Sequence, residues 1–148
     1  MKQIAVLMLC LALGCASPEF SGKNLVFEIC PAVPEQTDGF REMTVYGTSD
    51  VIFCRDTVLL DNRALSSAIT EEIDGRTAVR VFLTPEGRDR FAAVTEACTG
   101  SRLGMIVDGR LLSAPLVQRK ISEGQLLIMG MLSTAEAKRI AEGITEKQ

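Results

Sequence analysis

Few residues of this chain have the type or spacing for chemistry. Acids stand in the Asp-Gly pairs Asp74-Gly75 and Asp108-Gly109 and at Glu86 beside a proline; Arg119 and Lys120 form a basic pair that could meet an anion. Histidine is absent. That removes the commonest general base near neutral pH, the commonest zinc ligand and the usual activator of Ser and Cys nucleophiles. The acids and bases also have plainer roles. An Asp-Gly pair supplies the two positive-φ positions of a type I′ turn, Glu86 suits the positive end of a helix dipole, and Arg119 with Lys120 suits a solvated face. With neither a nucleophile-base pair nor a metal set, no catalytic, metal-binding or cofactor-binding residue is expected. A net charge of -3 and a pI near 5.1 argue against nucleic acid as a partner, since phosphate binding needs clustered Lys and Arg. The 148 residues, 47% of them hydrophobic, suffice for one folded domain.

The amino terminus carries a different signal. Lys2 precedes an uncharged apolar stretch from Ile4 to Gly14, with Cys15 directly after it. The stretch is shorter than the roughly 20 apolar residues that a membrane span needs, and it has the layout of a secretory signal peptide. With Leu11-Ala12-Leu13-Gly14-Cys15 it resembles the lipobox of bacterial lipoproteins, although Ala12 stands where Leu is usual. That resemblance implies cleavage before Cys15, acylation of its thiol and a membrane anchor made by the lipid. Residues 1–14 are then the signal peptide and 15–24, with Pro18, Ser21 and Gly22, a lipidated tether. Residues 25–148 form the domain, outside the cytoplasm. Asp is absent after Cys15, so the retention signal of many Gram-negative inner-membrane lipoproteins is missing. In such an envelope the outer membrane is the expected address. An ordinary signal peptide is the plainer alternative.

With Cys10 inside the signal and Cys15 lipidated, Cys30, Cys54 and Cys98 remain. An exported compartment permits disulfides. Cys30 and Cys54 flank the loop-rich first third of the domain, where a bridge between them would help, whereas Cys98 falls on the apolar face of a helix. The alternative is that all three are small buried hydrophobes.

These residues must be positioned by elements that the sequence announces. Leu25 to Cys30 reads as a strand, followed by a loop forced by Pro31 and Pro34; Glu42 to Tyr46 and Val51 to Cys54 are short strands around a Gly-Thr-Ser-Asp turn. Asp61 can cap a short helical turn. Ala68 to Ile73 and Thr77 to Leu83 flank Asp74-Gly75; Leu103 to Val107 and Arg110 to Ser113 flank Asp108-Gly109, giving two hairpins. Thr84-Pro85-Glu86 starts a helix with Phe91, Val94, Thr95 and Cys98 on one stripe, ended by Gly100. Leu126 to Met129 is a buried strand between Gly124 and Gly130. Ser133 and Glu136 form a capping box, with Leu132 as staple, for a helix that lines up Ala137, Ile140, Ala141 and Ile144. The fold class is α+β: an antiparallel sheet built from hairpins, with two main helices packed on one face.

From about residue 58 to 145 the order of these signals resembles the head subdomain of the first periplasmic domain of SecD and fused SecDF. The resemblance runs through T-P-E-G-R-D-R-F, then R-L-G-M-I-V-D-G-R-L-L-S-A-P, then I-S-E-G-Q-L-L-I-M-G and S-T-A-E-A-K-R-I-A. It implies a domain that contacts exported polypeptide. The transmembrane bundle, its carboxylates and the base subdomain of that family have no counterpart here, so proton-coupled export is not carried over. The expected function is that of a non-enzymatic envelope lipoprotein binding polypeptide or another envelope protein. A sheet edge at Leu126 to Met129 or beside Pro115 would take an added strand; the plainer reading is that these residues only fill the core. A structural role in an envelope assembly is the other alternative.

Overall fold

A computed structural model describes residue 20 and residues 23–146. Residues 1–14, read above as a signal peptide containing Cys10, and Cys15 lie outside the described residues. The chain forms β1 (Phe27–Val33), β2 (Phe40–Thr44), β3 (Val51–Arg55), β4 (Leu60–Asp61), a 3-10 turn (Asn62–Ala64), β5 (Leu65–Ile73), β6 (Arg76–Leu83), α1 (Pro85–Ala97), β7 (Arg102–Val107), β8 (Arg110–Ser113), β9 (Gln125–Met129) and α2 (Thr134–Thr145). This is the α+β class, with every strand pair antiparallel.

The strands divide into two sheets. One runs β2-β3-β1-β7-β8, with β4 also on β1; the other is β5-β6-β9. The first sheet curls until its ends meet, where Tyr46 N–H, just past β2, donates to the Leu111 carbonyl of β8 at 2.8 Å. The curl encloses Cys30, Ala32, Met43, Cys54, Ile106 and Leu111. The opposite faces of β1 and β7 send Phe27, Ile29, Leu103, Met105 and Val107 into a larger core, shared with Val79, Val81, Leu126 and Ile128 of the second sheet. Two-sided burial explains why β7 is apolar at nearly every position instead of alternating.

β1 is longer than the sequence suggests, because Pro31 lies inside it. Asp108 N–H bonds the Val26 carbonyl, so alternation turns the backbone groups of Glu28, Cys30 and Ala32 toward β7 and those of Ile29 and Pro31 away from it. On that far side β4 pairs with Glu28 and Ile29, and β3 only with Ala32 and Val33. The N–H that proline lacks therefore falls in the gap between two partners, where no ladder bond is lost.

Both hairpin turns form as read: Asp74 and Gly75 have φ of 50° and 75°, and Asp108 and Gly109 have 47° and 75°. Asp61 accepts from Arg63 N–H, and Thr84 accepts from Gly87 N–H with Pro85 first in α1. On α1 the buried stripe is Gly87, Phe91, Ala92 and Thr95, with Val94 and Cys98 half-buried. On α2 both halves of the capping box are made, and Ala137, Ile140, Ala141 and Ile144 are buried. α2 packs on β5 and β6; α1 packs against the 3-10 turn, β4 and β6. Phe20 falls within the stretch read as tether, yet it is 1% exposed. It meets Tyr46 edge-on at 5.3 Å, and the Arg110 guanidinium covers its ring at 4.8 Å. An aromatic ring beside another ring and a cation buries more favourably than it solvates.

Candidate functional site

The residues that could do chemistry are held apart in local contacts. Asp74 and Asp108 occupy their turns, and Asp108 Oδ1 also accepts Val26 N–H at 2.8 Å. Glu86 lies in the first turn of α1. Arg119 pairs with Glu123 at 2.9 Å and Lys120 with Glu96 at 3.4 Å. Cys30 and Cys54, by contrast, are brought together inside the curl, while Cys98 is half-buried at the end of α1.

The two places named from sequence for strand addition, Leu126 to Met129 and Pro115, meet at one groove of about 910 Å³. Its walls are β9 (Leu127, Met129) with Gly130 and Met131, β8 and its exit (Leu112 to Pro115), and the β2–β3 connection (Val45 to Ile52). Arg76, Arg102 and Asp50 stand at its rim. β9 is an edge: it pairs with β6 on one side, and no strand among the described residues pairs with the other. Leu83 N–H bonds the Gly124 carbonyl, so alternation commits Leu126 and Ile128 to the β6 ladder. The backbone groups of Gln125, Leu127 and Met129 then point outward. β9 is thus half-buried, with Leu126 and Ile128 in the core and Leu127 and Met129 on the groove, where the sequence suggests a strand buried throughout.

The groove offers open backbone groups beside apolar side chains. Five residues of β9 match an extended segment of about 17 Å at ~3.3 Å per residue. Met131 and Val51 are 61% and 41% exposed, which leaves apolar surface uncovered beside that edge. The Ser113 hydroxyl oxygen is buried without a hydrogen-bond partner among the described residues. The thioethers of Met129 and Met131 adapt to differing side chains at little cost.

A second hollow of about 660 Å³ lies between β1, the 3-10 turn and the end of α2, where Asn62 and Asp61 are already committed. Asn62 accepts Phe27 N–H at 2.8 Å and donates to the Leu25 and Ile144 carbonyls at 2.8 and 2.9 Å. Asp61 is bound to Arg63 at 2.7 Å, which holds its carboxyl below the usual range. Sequence reading missed Asn62, Ser113, Val51 and Met131. A single Asn after a capping Asp carries no signal for three distant partners. The groove residues come from separate segments with no common motif.

Comparison with known proteins shows the family of this fold. Residues 40–145, from β2 to the end of α2, match the family model described as SecDF, P1 head subdomain. The match starts nearer the amino terminus than residue 58, and so takes in the β2–β3 wall of the groove. The chain is similar to the protein translocase subunit SecDF of Thermus thermophilus, with 42% identity over 67 residues, 45% of this chain and 9% of that protein. It is also similar to the protein translocase subunit SecD of Dictyoglomus turgidum, with 29% identity over 118 residues, 77% of this chain and 30% of that one. A crystal structure of SecDF in a super-membrane-facing form superposes with a TM-score of 0.70 at 28% identity, covering 84% of this chain and 19% of that one. This chain spans less than a third of the length of either of these translocase subunits. With more than half of its residues matched in order by the family model, from the β2–β3 wall to the capped helix α2, the chain belongs to the SecDF P1 head subdomain family.

Proposed function

We propose that this chain is a non-enzymatic, lipid-anchored envelope protein, linked to protein export, whose head domain binds extended polypeptide segments by adding them as a strand to β9. The observation that carries the reading is the unpaired outer edge of β9 lying in an apolar groove. Main-chain hydrogen bonds along such an edge give affinity without demanding a sequence, and the flanking side chains set a mild preference for apolar residues. The names of the relatives, protein translocase subunits, support polypeptide as the occupant. Anchoring rests on Cys15 and the apolar stretch before it, and two or more acyl chains suffice for stable attachment.

The test is a photoreactive residue placed in living cells at Leu127, at Met131, and at Arg90 on α1 as a control outside the groove. Products of many sizes from the first two and none from Arg90 are expected. A single product of fixed size would favour a structural partner in an assembly, and none at all would refute binding. With purified protein, Leu127→Lys blunts the edge and should weaken capture of a permanently unfolded, carboxymethylated polypeptide at least about tenfold. Cys15→Ser should abolish fatty-acid labelling and release the protein from membranes. If the unaltered chain takes up no label, the anchor reading fails while the groove reading stands.

A further inference from the structure

We infer that Cys30 and Cys54, both free thiols in this structure, are a disulfide site whose bridge would lock the β2–β3 hairpin, one wall of the groove, to β1; the consequence for the groove rests on the reading above. The two cysteines lie on adjacent antiparallel strands, with Cys54 opposite Ala32 and Cys30 two residues along on the same face. Both side chains are buried, at 3% and 1% exposure. Their sulfurs converge on one point of β7: a Cβ at Gly104 would stand 2.9 Å from Cys30 Sγ and 3.1 Å from Cys54 Sγ. Gly104, opposite Cys30 in the ladder, is what leaves room for two sulfurs between the strands. The hairpin needs such a tie, because β3 holds β1 through only two register pairs, Ala32–Cys54 and Val33–Phe53.

The thiols are also polarised. Hydrogen bonding between them holds Cys54 below the ordinary thiol range and pushes Cys30 above it; burial adds to the rise at Cys30, and the charge of Arg41 favours the thiolate at both. One thiolate of the pair attacks a disulfide supplied by an oxidised dithiol catalyst or by oxidised glutathione, forming a mixed disulfide and releasing one thiolate. The other thiol loses its proton and attacks the protein sulfur of that mixed disulfide, closing the Cys30–Cys54 bond and expelling the second thiolate. Two electrons pass to the oxidant, and the two protons end on its thiols. Because both sulfurs are buried, exchange takes place before the hairpin closes during folding, or when it lifts.

The test equilibrates the purified full chain with oxidised and reduced glutathione, traps thiols with acid, alkylates under denaturing conditions and maps the peptides. One linked pair containing Cys30 and Cys54, lighter by two hydrogens, is expected, with Cys98 alkylated and the same result in Cys98→Ser. Three alkylated thiols at every glutathione ratio, or a bridge through Cys98, would overturn the inference. Reduction of the bridged form should lower Tm by roughly 5–10 °C and speed amide exchange in β2 and β3 at least about tenfold while leaving α2 unchanged. Uniform change across both sheets would refute the locking of the hairpin. Protein that bridges in vitro but is recovered reduced from cells would leave the site standing and overturn the exported compartment instead.

Discussion

Asn62 carries more of the architecture than any acid or base that the composition brings forward. Its one amide satisfies three backbone groups, those of Leu25, Phe27 and Ile144, and so ties the start of β1 to the end of α2. Asn62→Ala should cost about 2–3 kcal/mol, read as a lowered urea midpoint, because three half-buried groups lose their partner at once. Asn62→Asp should not rescue it, since a carboxylate placed against two carbonyls replaces attraction with repulsion. None of this was legible in the sequence: the partners stand 35 to 82 residues away. Asp61, one residue earlier, was legible because its cap acts on Arg63, two residues on.

Elements behave differently, since their signals are short-ranged. The capping box of α2 was readable from Ser133 and Glu136 alone, because the two side chains bond backbone groups three residues apart. The structure adds Tyr46, whose hydroxyl donates to Glu136 at 2.5 Å. Burial pushes the Glu136 carboxyl up, but the hydrogen bonds from Tyr46 and Ser133 outweigh it and hold it below its ordinary value. A carboxylate depressed in the folded state lends stability above its unfolded pKa, and that stability is lost as pH falls through the folded value. Urea midpoints should be flat from pH 7 to about 5 and fall between about pH 4.5 and 3, with a shallower fall in Glu136→Gln. An unchanged acid limb in that variant would remove Glu136 from the account. Pro31 shows where element-level reading stops: proline breaks a ladder unless its missing donor meets a gap, and the gap is made by β3 and β4, far along the chain.

At the scale of the whole molecule, Phe20 joins the amino-terminal stretch to the closed end of the curled sheet. Phe20→Ala should destabilise by about 3 kcal/mol, the order found for a buried aromatic ring. Tyr46 is the only tyrosine in a chain without tryptophan, so its near-ultraviolet signal reads that end alone and should lose intensity in the variant. Five residues reach at most about 18 Å, so a lipid on Cys15 would hold this end, and the β2–β3 wall beside Tyr46, close to the membrane surface. By itself the sequence determined the turns, the caps, both helices, the α+β class and the family resemblance. Each of these depends on backbone stereochemistry and side-chain periodicity within a few residues. Only the tertiary structure decided that the strands split into two sheets, that one sheet curls so that two cysteines meet over a glycine, and that β9 keeps an open edge beside uncovered apolar surface. Those outcomes come from pairings between distant segments, and a register between strands is fixed by the whole core and not by any one strand's residues.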